Sequence, residues 1–157
     1  MKIIIDSRER LPFAFEKYPV QIERAALAAG DYSLAGFQDR ICIERKSLND
    51  LIGCLTGKDR TRFEKELARA GSFERFAVIV EADIQDISCG RYTSNMKPHA
   101  ALQSITAFYI RYGVPFLFCG DRDGAEYMTY SILEKYAYEV EKRFKILTKT
   151  PGANSYG

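Results

Sequence analysis

Gly30-Asp31-Tyr32-Ser33-Leu34-Ala35, Gly36-Phe37-Gln38-Asp39 and Arg40-Ile41-Cys42-Ile43-Glu44-Arg45-Lys46 follow one another, and on this stretch the reading of the fold turns. Residues 32–35 and 40–45 are largely apolar, and Gly36 and Asp39 mark a turn between them, which predicts an antiparallel hairpin. With residues 36–39 as its loop, Ala35 pairs with Arg40. Leu34 then faces Ile41, and Tyr32 faces Ile43, on one apolar surface. The opposite surface carries Ser33 with Cys42, and Asp31 across from Glu44. Side chains alternate along a strand, so Lys46 shares the face of Glu44.

Carboxylates directly opposed in a sheet stand roughly 4.5–5.5 Å apart at Cβ and repel each other. A sheet avoids that arrangement unless positive charge lies between them. Two carboxylates completed by waters suit a hard ion such as Mg²⁺ or Mn²⁺. Such an ion activates water and stabilises charge on a phosphodiester, and Lys46 stands ready to share that task. The plain alternative is that Asp31, Glu44 and Lys46 are the solvated face of an exposed hairpin. On spacing alone, both readings stay open.

Outward from the hairpin, residues 3–5 read as a short buried strand ending at Asp6, and residues 20–25 as another. Ser47, three residues before Asp50, predicts the N-cap of a short helix over 48–56. Asp59 predicts the start of a second helix to residue 70, with Phe63, Leu67 and Ala70 on one face and Gly71 closing it. Residues 76–81 form a buried strand ending in the carboxylate of Glu81. Residues 83–97 read as a loop with room for one helical turn. Pro98 opens a helix to residue 112, residues 115–119 make a last strand, and residues 125–147 a long amphipathic helix. Early strands with a hairpin, followed by alternating strands and helices, predict an α/β domain: a mixed central sheet flanked by helices on both faces. One domain over 1–147 and a flexible tail over 148–157 are expected.

The 23 basic and 21 acidic residues leave a net charge of +2, too little to identify a nucleic-acid binder without a local basic patch. Cys42, Cys54, Cys89 and Cys119 are scattered and His99 is the single histidine, which argues against structural zinc and for reduced, mostly buried thiols. The N-terminal run is too short for a signal-peptide core and no apolar run is long enough to span a membrane, so a cytoplasmic location is expected.

The string Gly30-Asp31, twelve residues, then Glu44-Arg45-Lys46-Ser47-Leu48-Asn49-Asp50 resembles the GD-x(n)-ERK-x3-D signature of the XPF family of structure-specific endonucleases. That family is a branch of the restriction-endonuclease-like superfamily. Ile4-Ile5-Asp6-Ser7-Arg8-Glu9 resembles its first strand and D-x-R-E segment, and the match runs in order from about residue 3 to 145. The resemblance implies a Mg²⁺- or Mn²⁺-dependent DNA endonuclease acting on branched or flapped DNA. Asp31 and Glu44 would be the metal carboxylates and Lys46 the catalytic lysine. Arg45 and Asp50 would organise the site and contact phosphate, and Asp6, Arg8 and Glu9 would form an adjoining cluster. Many relatives carry a helicase segment or a tandem helix-hairpin-helix module; neither is expected here. Some relatives keep the fold without catalysis, which makes a DNA-binding scaffold the runner-up. A junction resolvase or restriction-type enzyme would share the chemistry and differ in substrate.

Lys58, Arg62, Lys65 and Arg69 recur at helical spacing and form one face of the second helix, either a phosphate-binding stripe or a solvated surface paired with Glu64 and Glu66. Aromatic residues of the last two helices are expected in core or dimer packing, and the resemblance makes a homodimer an expectation. Glu81 is expected at the surface, with the edge of the site as its other reading. His99 is expected at the surface or in a capping role.

Overall fold

The structure, a computed structural model, describes residues 1–149. In chain order it holds β1 (Lys2–Asp6), β2 (Gln21–Ala25), β3 (Tyr32–Leu34), β4 (Ile41–Lys46), α1 (Leu48–Gly53), α2 (Gly57–Arg69), β5 (Arg75–Val80), α3 (Ile84–Ser88), α4 (Pro98–Tyr112), β6 (Phe116–Phe118) and α5 (Arg122–Leu147). The strands form one sheet in the order β2-β1-β3-β4-β5-β6. β1 runs parallel to β2 and antiparallel to β3, β3 is antiparallel to β4, and β4, β5 and β6 are mutually parallel. This is the expected mixed sheet.

Period-two alternation along the central strands builds a core on each face. Phe76, Val78 and Val80 of β5 join Cys42, Leu51, Phe63, Leu67 and Phe108 under α1, α2 and α4. Ala77 and Ile79 turn the other way and meet Tyr32, Ile43, Phe13, Phe15 and Leu133 under α5. A central strand buried on both faces explains why residues 76–80 read as an unbroken apolar run.

Tyr32 pairs with Ile43, the rung expected from the loop. Towards the turn the ladder departs from expectation. The Ala35 amide donates to Lys2 O of β1, and the Arg40 amide to Phe37 O inside the turn, so Ala35 and Arg40 do not pair. The cause is the third strand: β1 takes over the outer edge of β3, which a two-strand argument cannot anticipate.

Helix ends follow local chemistry. Ser47 Oγ accepts from the Asp50 amide at 3.2 Å and caps α1, as expected. Pro98 opens α4, and Gly113, at φ 68°, closes it in the left-handed conformation. α2 starts two residues before Asp59, and α1 ends at Gly53 rather than residue 56. α5 begins at Arg122 rather than residue 125, because Asp121 caps it by accepting from the Gly124 amide at 2.8 Å. Within the expected loop 83–97, α3 forms on a capping box between Asp83 and Asp86.

All four cysteines are free, and only Cys42 is fully buried. Among the described residues no helix is long and apolar enough to cross a membrane. Of the tail expected over 148–157, Thr148 ends α5, and residues 150–157 lie outside the described residues.

Candidate active site

The hairpin rung below Tyr32–Ile43 assembles the carboxylates. The Asp31 amide donates to Ile43 O at 2.8 Å, and Asp31 O accepts from the Asp6 amide at 2.8 Å, which ties the residue to β4 and β1 at once. Its side chain turns towards β4, where Oδ2 accepts from the Arg45 amide at 2.8 Å. Gly30 makes this approach possible. It sits at φ +69°, and a Cβ there would stand 2.1 Å from Cys42 Sγ and 2.9 Å from Ile43 O. Glu44, 6% exposed, pairs through Oε1 with Lys46 Nζ at 2.8 Å.

Burial, reinforced by the facing Glu44, pushes the Asp31 carboxyl up to about 8. Burial pushes Glu44 up as well; Lys46 opposes that rise, and Glu66 adds to it. Burial works against the charge on Lys46, but Glu44 outweighs it and keeps the ammonium protonated. Burial thus opposes negative charge on both acids, and Lys46 is the cation that offsets it at Glu44.

Beside this pair the D-x-R-E segment builds a rigid wall. Asp6, 2% exposed, receives the Arg8 guanidinium at 2.6 and 3.0 Å, and Arg8 also reaches Leu27 O. Burial alone would raise Asp6, but the Arg8 bonds hold it below the usual carboxylate range. Glu9 takes a bidentate grip from Arg45, with both contacts at 3.1 Å. Those bonds likewise overcome burial and hold Glu9 low. Arg45 Nη1 continues to Glu81 at 3.0 Å, and Arg122 meets the same oxygen. Arg45 thus serves an internal ion network, with its side chain 9% exposed, rather than an open phosphate-binding surface. Glu81, expected at the surface, is the bridge between two arginines.

A polar cavity of ≈ 230 Å³ opens between these elements, lined by Asp6, Arg8, Asp31, Glu44, Glu66 and Arg69. A larger apolar groove of ≈ 490 Å³ lies beneath α5 and brings no pair of carboxylates together, so the smaller cavity is the chemical candidate. The structure gathers Asp6, Arg8, Asp31, Glu44 and Arg69 there, with Lys46 attached through Glu44. Asp50 stands exposed in the first turn of α1, apart from the cavity lining. Lys58, Arg62 and Lys65 are exposed on α2, with Arg62 paired to Asp59 at 3.5 Å, and His99 is exposed on α4. Glu66 is the residue that sequence reasoning assigned to local pairing. Its signal was its place beside Phe63, Leu67 and Ala70, at the border of the buried face of α2.

The donor set suits a hard cation. Asp31 uses Oδ2 and Glu44 uses Oε1 internally, and no protein donor among the described residues claims Asp31 Oδ1 or Glu44 Oε2. No group of three or more His, Cys, Asp or Glu among the described residues forms a ready-made metal cage. Two carboxylates completed by water are the arrangement Mg²⁺ favours.

The ERCC4 domain model matches residues 5–131. The chain is 26% identical over 150 residues to the 3′-flap repair endonuclease Xpf of Saccharolobus solfataricus, covering 93% of this chain and 60% of that protein. It is 33% identical over 84 residues to the DNA repair endonuclease XPF of Cricetulus griseus, covering 52% of this chain and 9% of that protein. The chain thus spans less than two thirds of the length of these relatives. Among solved structures, XPF from Aeropyrum pernix superposes with a TM-score of 0.69 at 23% identity, covering 87% of this chain and 61% of that one. A structure of XPF from the same organism in complex with DNA gives 0.67 at 23% identity, over 96% of this chain and 74% of that one. These neighbours share the fold.

Proposed function

Because the chain belongs to the ERCC4 domain family and carries its XPF-type nuclease domain, we propose that it is a divalent-metal-dependent DNA endonuclease that hydrolyses phosphodiester bonds at branched or flapped structures. The observation that carries this reading is that Asp31 and Glu44 line one polar cavity, with Lys46 paired to Glu44 behind them. Asp31 and Glu44 would hold Mg²⁺ or Mn²⁺. When bound, that ion supplies a water of lowered pKa and a positive charge for the phosphate.

The chain's own residues do the rest. Lys46, kept cationic by Glu44, would lower the cost of negative charge developing on a phosphate bound beside it. The Glu9–Arg45–Glu81 network holds the backbone of residue 45, whose amide fixes the Asp31 carboxyl. Arg8 and Arg69 give the cavity rim a positive charge suited to the DNA backbone. A homodimer accords with the same reading: Tyr109 and Ile110 on α4 stand 51% and 76% exposed, an apolar surface open to a second copy.

The test is cleavage of labelled flap, splayed-arm, nicked and linear duplex DNA by the wild type, Asp31→Ala and Glu44→Ala, each in Mg²⁺, Mn²⁺ or EDTA. The name of the Saccharolobus relative puts the 3′ flap first among the substrates. Metal-dependent cuts that vanish in both variants are expected. A wild type that binds these DNAs and cuts none in any metal would replace the nuclease reading with a scaffolding one.

A further inference from the structure

Arg122 opens α5, the end of a helix where positive charge is least favoured, because the first-turn amides already direct their dipoles there. Asp121 and Asp123 flank it in sequence, yet its guanidinium reaches past both. Nη1 donates to Glu81 Oε1 at 3.0 Å, and Nη2 donates to Leu11 O at 2.8 Å and Pro12 O at 2.9 Å. The same group lies over the Phe13 ring, 4.9 Å from its centre. One turn further along that helix face, Glu126 accepts from the Phe15 amide at 2.7 Å. The first turns of α5 thus clamp the segment that follows the D-x-R-E motif. That segment needs holding, since the buried Phe15 sits at φ 54°, a left-handed conformation that bulky side chains rarely adopt.

The contacts of Arg122 close a ring. The Leu11 amide donates to Glu9 Oε1 at 2.8 Å, and Glu9 accepts from Arg45 Nε and Nη2, each at 3.1 Å. Arg45 Nη1 then donates at 3.0 Å to Glu81 Oε1, the oxygen that Arg122 shares. Arg122 ties Glu81 back to the segment of Glu9, so Arg45 is gripped between two acids that are themselves held. The Arg45 amide in turn donates to Asp31 Oδ2 at 2.8 Å. Arg122 does not line the polar cavity, and its side chain is 44% exposed against 9% for Arg45.

We propose that Arg122 is a positioning residue of the nuclease centre. By closing the ring it fixes the Arg45 side chain, and through the Arg45 amide it fixes the carboxylate of Asp31. The inference rests on the reading of Asp31 as part of that centre. It gives α5, which otherwise packs on the sheet through Ala125 and Leu133, a share in the reaction.

The test compares the full-length wild type with Arg122→Gln, Arg122→Lys and Glu126→Ala, the last loosening the clamp on residue 15 without opening the ring. Hydrogen exchange of the Arg45 amide is read by NMR in EDTA without DNA. Melting temperature, flap affinity and the kcat of flap cleavage are measured beside it. In Arg122→Gln the Arg45 amide should exchange about tenfold faster, as loss of one hydrogen bond to a charged group allows. Its kcat should fall by about tenfold or more, since misplacement of about 1 Å costs up to a hundredfold. Flap affinity should stay within about twofold, and the melting temperature within about 2–4 °C, the scale of one exposed ion pair. Arg122→Lys, which keeps a cation for Glu81, should recover part of both readouts, and Glu126→Ala should leave the Arg45 amide as it is. An unchanged Arg45 amide or an unchanged kcat in Arg122→Gln overturns the role. So does a loss confined to flap affinity, which makes Arg122 a phosphate contact, or an equal loss in Glu126→Ala, which makes it a loop anchor. A wild type that cuts no DNA overturns the nuclease reading and the positioning role together, whereas a wild type that cuts as well as Arg122→Gln overturns the positioning role alone.

Discussion

Gly30→Ala places one methyl group where the hairpin has brought β4 against the chain. Two costs arise, and a second glycine separates them. Gly30 lies at φ +69°, where an alanine costs about 1 kcal/mol. Its Cβ would also stand 2.1 Å from the buried Cys42 Sγ and 2.9 Å from Ile43 O, and overpacking of this kind costs about 1–3 kcal/mol. Gly36, at φ +83°, has nothing within 4 Å of its would-be Cβ, so Gly36→Ala carries the backbone cost alone.

At about 2–4 °C per kcal/mol for a chain of this size, Gly30→Ala should melt roughly 4–16 °C below wild type and Gly36→Ala roughly 2–4 °C below. Circular dichroism melts in EDTA measure both. Adding Cys42→Ala to Gly30→Ala removes the sulfur from the clash, and a double-mutant cycle should return a favourable coupling of about 1 kcal/mol. Cleavage by Gly30→Ala at a temperature where it stays folded should still fall by roughly a hundredfold, because the carboxylate of Asp31 shifts with its backbone. Equal melting temperatures for the two glycine variants, or no coupling to Cys42, would refute the argument that a close strand approach, rather than the turn itself, demands the glycine.

Asp31→Asn should stabilise the metal-free protein. Folded Asp31, pushed up to about 8, keeps a proton that the unfolded chain releases near pH 4, so wild-type stability falls as pH rises between those values. The asparagine variant should match wild type near pH 4 and exceed it by several kcal/mol, on the order of 5, at pH 8 in EDTA urea titrations, and parallel pH curves would reject this. Arg45→Met leaves the buried Glu9 without its partner, while Glu81 keeps Arg122, and should cost about 3–5 kcal/mol; a loss under 1 kcal/mol would show the network to be dispensable. Replacing Lys58, Lys65 and Arg69 together by alanine should lower the salt slope of flap binding by roughly 2–3, read by fluorescence anisotropy, whereas an unchanged slope would make that face a solvated surface.

Local chemistry wrote much of this molecule into the chain. Ser47, Pro98 and Gly113 bound their helices as capping rules require, because a cap depends on atoms within a few residues of each other. The Tyr32–Ile43 rung followed from loop length and alternation, and it carried Asp31 and Glu44 to one surface before any coordinates were needed. The start of α5 and the capping box of α3 were local as well, yet Asp121 and Asp83 sit in polar stretches where nothing apolar announces a helix. The remaining features belong to the tertiary structure alone. Arg45 meets Glu9 and Glu81 across 36 residues in each direction, and only the stacking of β4 between neighbouring strands brings those charges into contact. Glu66 is the clearest case. Its helix offers two arginines at pairing distance in sequence, but the packing of Phe63 and Leu67 on the sheet fixes the rotation of α2 and brings Glu66 to the lining of the cavity that Glu44 shares. Side-chain spacing determines what a residue can reach along its own element, whereas the docking of one element on another determines what it does reach.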